Sequence, residues 1–164
     1  MKEIVLLSCL FFLSAGNAIC QTNEDTIYLN DFPVRKGIII QNKLLPEPGR
    51  IVDPGPGITF LSIGDSIFHF ANGKVLRVFT IEGDKVVMIK NNDGYFVSYA
   101  GLKQSNLQTG DSISERTFIG ILSKNDDGKF ELQLIITDSK ARDYYFDETI
   151  KILKKYASIK LSTN

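Results

Sequence analysis

Histidine occurs once in these 164 residues, cysteine twice and tryptophan not at all. A catalytic zinc site takes about three protein ligands, commonly imidazoles with a carboxylate, and leaves one position open for water. A single histidine, His69, does not supply that set. Both cysteines, Cys9 and Cys20, fall within the first 20 residues. A chain processed there keeps at most one, which excludes an internal disulfide and a cysteine metal site and leaves stability to a packed core. Charge of one sign is missing too, because 19 Lys and Arg balance 19 Asp and Glu. No global field then favours nucleic acid. There is no Gly-x-Ser-x-Gly elbow, no phosphate-binding glycine loop and no His-Glu-x-x-His, and no cofactor is expected.

Only the N-terminus carries a long apolar run. Lys2, the apolar stretch 4–13 and the small residues 14–18 read as a secretory signal peptide over 1–20, with the cut expected between Cys20 and Gln21. The run is too short for a stable membrane anchor. Lipidation of Cys20 is the alternative, but Asn17 and Ile19 stand where such sites usually place Leu and a small residue. The expected location is therefore periplasmic or secreted, with membrane association only if Cys20 carries lipid.

What remains is enough for one domain. A polar segment over 21–34 leads into short runs rich in Ile, Val, Phe and Tyr, punctuated by Pro46-Glu47-Pro48-Gly49, Asn72-Gly73, Glu82-Gly83-Asp84, Asn92-Asp93-Gly94 and Asp126-Asp127-Gly128. Turns at such spacing predict antiparallel strands over 37–41, 58–63, 66–71, 74–81, 85–90, 95–100, 117–123 and 129–137. Leu61-Ser62-Ile63-Gly64-Asp65-Ser66-Ile67 returns as Leu107-Gln108-Thr109-Gly110-Asp111-Ser112-Ile113, with five of seven residues identical. This suggests two related halves, although hairpins sharing one turn chemistry give the same match. Over 144–157, Phe146, Ile150, Leu153 and Ala157 form one stripe at helical spacing. Asp143 or Asp147 is the expected cap, and the stripe is expected to cover the sheet. The domain proper is placed at 35–140 and the helix with its tail at 141–164.

Between about 35 and 137 the succession of pieces resembles the lysostaphin and LytM-type zinc endopeptidases, which cleave peptidoglycan cross-bridges. The pieces are Gly57-Ile58, Gly64-Asp65-Ser66-Ile67, Asn72-Gly73-Lys74-Val75, Val86-Val87-Met88-Ile89, Asp93-Gly94-Tyr95, Tyr99-Ala100-Gly101-Leu102, the stretch 107–113, Ile119-Gly120 and Phe130-Glu131-Leu132-Gln133-Leu134. The resemblance implies a two-layer antiparallel β-sandwich with a duplicated, barrel-sandwich-hybrid-like motif, here followed by one helix. Active members hold zinc through His-x-x-x-Asp and a later His-x-His, aided by the histidine of Tyr-x-His-Leu. In this chain those positions fall on Gly55 and Thr59 (Pro54 and Ile58 if shifted by one), on Glu131 and Gln133, and on Gly101. The metal ligands are absent, so the resemblance implies a peptidase-like domain without catalysis that binds peptidoglycan or an envelope protein, regulates other wall hydrolases or serves as a scaffold.

Strand alternation over 130–137 puts Glu131 and Gln133 side by side, opposite Phe130, Leu132, Leu134 and Ile136. They either line the floor of the cleft, near Gly55, Thr59 and Gly101, or form an ordinary solvated face. Two other classes stay open. One is a cell-wall hydrolase with a replaced active site built from Glu131, Asp53 and His69; the other is a carrier-type barrel, disfavoured because Met88 and Lys90 fall in a predicted strand rather than an exposed hairpin. His69, between Phe68 and Phe70, is expected to be packed or at a rim rather than a ligand, and Tyr95, Phe96 and Tyr99 to pack the core.

Overall fold

The computed structural model describes residues 27–29, 33–34, 37–40, 55–156 and 159–161. The proposed leader, Cys20, Asp53 and Pro54 lie outside the described residues. In chain order the elements are β1 (Ile27–Leu29), β2 (Gly37–Ile40), β3 (Ile58–Ser62), β4 (Ser66–Phe68), β5 (Gly73–Ile81), β6 (Asp84–Asn91), β7 (Phe96–Gln104), β8 (Ser112–Ile113), β9 (Phe118–Leu122), β10 (Phe130–Thr137), α1 (Phe146–Leu153) and β11 (Ile159–Leu161). Each of the eight strands expected from turn spacing is present. Three short ones were not expected: β8, β1 within the supposed polar segment, and β11 in the tail.

Pairing is antiparallel throughout, in the order β11-β1-β2-β3-β10-β7-β6-β5-β8, with β9 joined to β7 and β4 to β9. Hydrogen bonds thus join all eleven strands into one branching network. The β5–β6 hairpin shows how local chemistry sets register. Glu82 and Gly83 both have positive φ (51° and 97°), the two-residue turn whose twist matches that of its strands, and Ile81 pairs with Asp84 across it.

The core gathers on one side of the central strands. Leu132, Leu134 and Ile136 of β10, Val97, Tyr99 and Leu102 of β7, Val87 and Ile89 of β6 and Phe60 of β3 are all fully buried. Their alternating neighbours stand on the other face; Glu131 and Gln133 there are exposed, whereas Ser98 and Ala100 are half-buried and Thr59 and Val86 buried. The two copies of the repeat occupy equivalent places. Ile67 pairs with Gly120 and Ile113 with Gly73, and the Asp65 and Asp111 carbonyls each accept a strand N–H, from Leu122 at 2.7 Å and Val75 at 2.8 Å. Both isoleucines are buried. The strand pairing of the two copies matches, whereas their turns differ: Gly110 has φ +99° and Gly64 does not have positive φ.

Helix α1 lays Thr149, Ile150, Ile152 and Leu153 against the core. Each fully buried aliphatic side chain contributes about 2 kcal/mol. Its start corrects the expected caps. Tyr145 is the N-cap residue, its N–H donates to Glu148 Oε2 at 3.5 Å, and Asp147 already lies in the first turn. Asp143 is occupied elsewhere, its carboxylate accepting from Thr137 Oγ1 at 2.6 Å. The adjoining Tyr144 carbonyl accepts from the Gly57 N–H at 2.9 Å, which ties the approach to the helix to the start of β3.

Candidate functional site

The open face of β7 and β10 carries most of the positions singled out in the sequence. Gln133 sits directly opposite Thr59 on β3 and Ala100 on β7, and Glu131 lies two residues along the same strand. Cross-strand partners share a face, so Thr59, Ala100, Glu131 and Gln133 look the same way. Thr59 is nonetheless buried. Gly55 is half-buried, with φ +75° and open space where a Cβ would stand.

Strand β7 changes partner partway along its length. Phe96 to Ala100 pair with β10, whereas Leu102 and Gln104 pair with β9. Gly101 stands at the changeover with φ +85°, and a Cβ there would lie 2.8 Å from the Glu131 carbonyl oxygen. The Gly101 carbonyl accepts from the Ser123 N–H at 2.9 Å, which fixes the turn of chain leading out of β9. A side chain at 101 therefore meets both an unfavourable φ and a backbone collision.

Beside this changeover lies a cavity of about 380 Å³. Gly101, Glu131 and Gln133 line it; Gly55 and Thr59 do not. The rest of its wall was not legible as a site. Glu82 and Asp84 come from the β5–β6 hairpin, Ile81 and Val86 supply apolar surface, and Ser123, Lys124 and Asn125 come from the β9–β10 connection. In sequence Glu82-Gly83-Asp84 announces only a turn. Two of the carboxylates are held by neutral donors: Ser123 Oγ donates to Asp84 Oδ1 at 2.6 Å, and Asn125 Nδ2 to Glu131 Oε2 at 3.1 Å. Asn125 is itself fixed by its loop, its Oδ1 accepting from Lys129 N–H at 3.0 Å. None of the ion pairs among the described residues involves Glu82, Asp84 or Glu131.

His69 is on the other side of the sheet. Its ring is fully buried, with Nδ1 2.7 Å from the Tyr99 hydroxyl and Nε2 3.0 Å from Asn91 Oδ1. An amide oxygen only accepts, so Nε2 carries the proton and Nδ1 accepts from Tyr99. Burial pushes the imidazole down to about 4, against a smaller upward pull from the Asn91 hydrogen bond. Burial also raises the Tyr99 hydroxyl well above its ordinary value. Tyr99 pairs with Leu134, while Ala100 pairs with Gln133; the two sets point to opposite faces. His69 therefore cannot meet Glu131 in one active site, which removes that part of the replaced-site hydrolase. Lys90 stays within β6, its Nζ 5.8 Å from the centre of the Phe96 ring, and offers no attachment hairpin of the carrier type.

The described residues do not fit a zinc site of the kind the resemblance would bring. The cavity offers carboxylates and two amides but no imidazole, and no group of three or more His, Cys, Asp or Glu among the described residues is placed to hold a metal ion.

No family model matches the sequence, and no curated protein matches it significantly. Solved structures do share its architecture. A zinc-containing peptidase from Vibrio cholerae is similar with a TM-score of 0.53 and 22% identity, over 71% of this chain and 38% of that one. The antimicrobial peptidase lysostaphin from Staphylococcus simulans gives 0.51 and 18% over 66% of this chain and 47% of its own. A solution structure of lysostaphin gives 0.50 and 20%, over 61% and 43%. This chain spans less than half the length of each. At such identities the likeness concerns architecture alone, and what it establishes is that the chain has the fold of the lysostaphin-type peptidases.

Proposed function

We propose that this domain works in the cell envelope, periplasmic or secreted, by binding rather than by hydrolysis, with peptidoglycan or an envelope protein as its ligand. The observation that carries this is Gly101. Where an active member of the resembling family needs a histidine, the backbone here has φ +85° and a carbonyl oxygen 2.8 Å from any Cβ. Glu131 and Gln133, at the His-x-His positions, provide hydrogen-bonding groups on an open face instead of nitrogen ligands. A cavity of about 380 Å³ beside them has the size of small-ligand pockets.

The test uses purified full chain with intact sacculi, with and without added zinc, and follows co-sedimentation, bound metal and release of soluble muropeptides. Saturable co-sedimentation with neither stoichiometric zinc nor muropeptide release is the expected result. Muropeptide release that disappears in Glu131→Gln would overturn the proposal in favour of a hydrolase with a replaced site. Absence of co-sedimentation removes peptidoglycan and leaves an envelope protein as the ligand, to be sought by cross-linking in intact cells.

A further inference from the structure

We propose that the outer edge of β5 pairs with the same edge of a second copy of this chain, antiparallel about a two-fold axis, and that each copy thereby lends Arg77 to the rim of the other's cavity. This goes beyond the binding role proposed above and does not depend on it. Strand β8 covers β5 only at Gly73 and Lys74. The chain before β8 reaches one residue further, where the Val75 N–H donates to the Asp111 carbonyl and the Val75 carbonyl accepts from the Gly110 N–H, both at 2.8 Å. From Leu76 to Ile81 the strand has β6 alone as its neighbour. Ile81 and Asp84 close a two-residue turn. Ile81 and Phe79 therefore give their backbone groups to β6, while Val78 and Thr80 turn theirs outward, where no backbone group among the described residues meets them.

The composition of this edge does little to guard it. The run Leu76-Arg77-Val78-Phe79-Thr80-Ile81 has one charge and no proline, and both Leu76 and Ile81 are exposed. Its one guard is a bulge between Val75 and Arg77, at the covered end.

Charge complementarity selects a second copy as the occupant. Lys74 and Lys90 stand directly opposite each other, an unfavourable like-charge pair. Arg77 pairs with Met88, two residues from Lys90, and its guanidinium lies 5.2 Å from the centre of the Phe79 ring. The far end of the strand leads into Glu82 and Asp84. None of these five charged groups makes an ion pair among the described residues. An antiparallel second copy brings the acidic end of each strand beside the basic end of the other. Centring the axis on Phe79 sets Val78 against Thr80 in both directions, so the outward groups join, and places the two Phe79 rings side by side. Arg77 of one copy then lies opposite Ile81 of the other, beside Glu82 and Asp84 in the cavity wall. Glu82 falls opposite Leu76, where the covered part of the edge ends.

Sedimentation velocity on purified full chain over a range of concentrations reads the assembly. A concentration-dependent dimer is expected, weakened at about 1 M salt, where screening reaches most of its extent. Arg77→Glu should weaken dimerisation about tenfold or more, because the two-fold axis repeats each clash. Glu82→Arg should do the same, and the two together should restore the dimer by exchanging its charged ends. Thr80→Pro removes an outward N–H while leaving the β6 pairing in place, and should give monomer. A parent chain still monomeric at about 1 mM would overturn the proposal and leave the edge to an extended segment of another protein. A dimer that both Arg77→Glu and Thr80→Pro leave intact would overturn it in favour of a different surface.

Discussion

A histidine placed at position 101 would require a β-carbon 2.8 Å from the Glu131 carbonyl oxygen on a backbone at φ +85°. The oxygen belongs to a paired strand and cannot swing aside as a flexible side chain would. Gly101→His should therefore cost about 2 kcal/mol or more from backbone strain alone, read as a lowered urea midpoint, and should bring no zinc affinity in a metal titration. Gly101→Ala should show most of the same loss, because the strain begins at the β-carbon. A Gly101→His protein as stable as the parent would show that the strand accommodates a side chain there. The absent histidine was plain in the sequence; the reason the position resists one was not, because positive φ and the partner change of β7 arise only when β9 and β10 meet on one strand. Glu131 and Gln133 were legible as neighbours because a period of two needs no tertiary information. Asp84 was hidden by its place in a turn signal, and Thr59, placed in the cleft by resemblance, proves buried.

At the level of elements, short apolar runs between turns sufficed to find strands, since both the turn chemistry and the alternation are local. The exceptions are instructive. Strands β1, β8 and β11 have three, two and three residues, too few for any periodicity, and exist because partner edges are present. Helix α1 was legible from its stripe, yet its bounds were not: it spans Phe146–Leu153 where 144–157 was expected, Ala157 of that stripe lying outside the described residues, and its cap is a tyrosine. Tertiary packing decides that start, with Tyr144 turned toward Tyr95, ring centres 6.0 Å apart, and its carbonyl given to Gly57. If the stripe is what docks the helix, Leu153→Ala, at a fully buried site, should lower stability by about 3 kcal/mol. Lys151→Ala, on the exposed side, should change it by less than about 0.5 kcal/mol. Chemical denaturation of the two variants reads the difference, and equal midpoints would mean that the helix lies loosely on the sheet.

Across the whole molecule, the single histidine acts as a pin. His69 follows β4, Asn91 ends β6 and Tyr99 lies in β7, so one buried ring joins three strands through two hydrogen bonds. Asn91 Nδ2 finds no partner there, which makes the cluster sensitive to any change in its proton arrangement. Protonating the ring would turn Nδ1 from acceptor to donor and place a charge in the core. Its folded value, about 4, lies below the ordinary 6.5, so the unfolded chain takes up the proton first as pH falls. The stabilisation is then fully present above about pH 6.5, drains away between about 6.5 and 4, and changes no further below that; the whole window amounts to about 3 kcal/mol. Asp138, held below its ordinary 3.8 chiefly by the Arg142 backbone N–H, acts at lower pH. Because His69 is the only histidine, urea unfolding at pH 7, 5.5 and 4.5 should show a decline approaching one proton, and in His69→Gln that decline should flatten even though the variant starts less stable. A parent protein whose stability holds level from pH 7 to 4.5 would mean that the ring reaches water and that its two hydrogen bonds add nothing to the backbone ladders that join these strands.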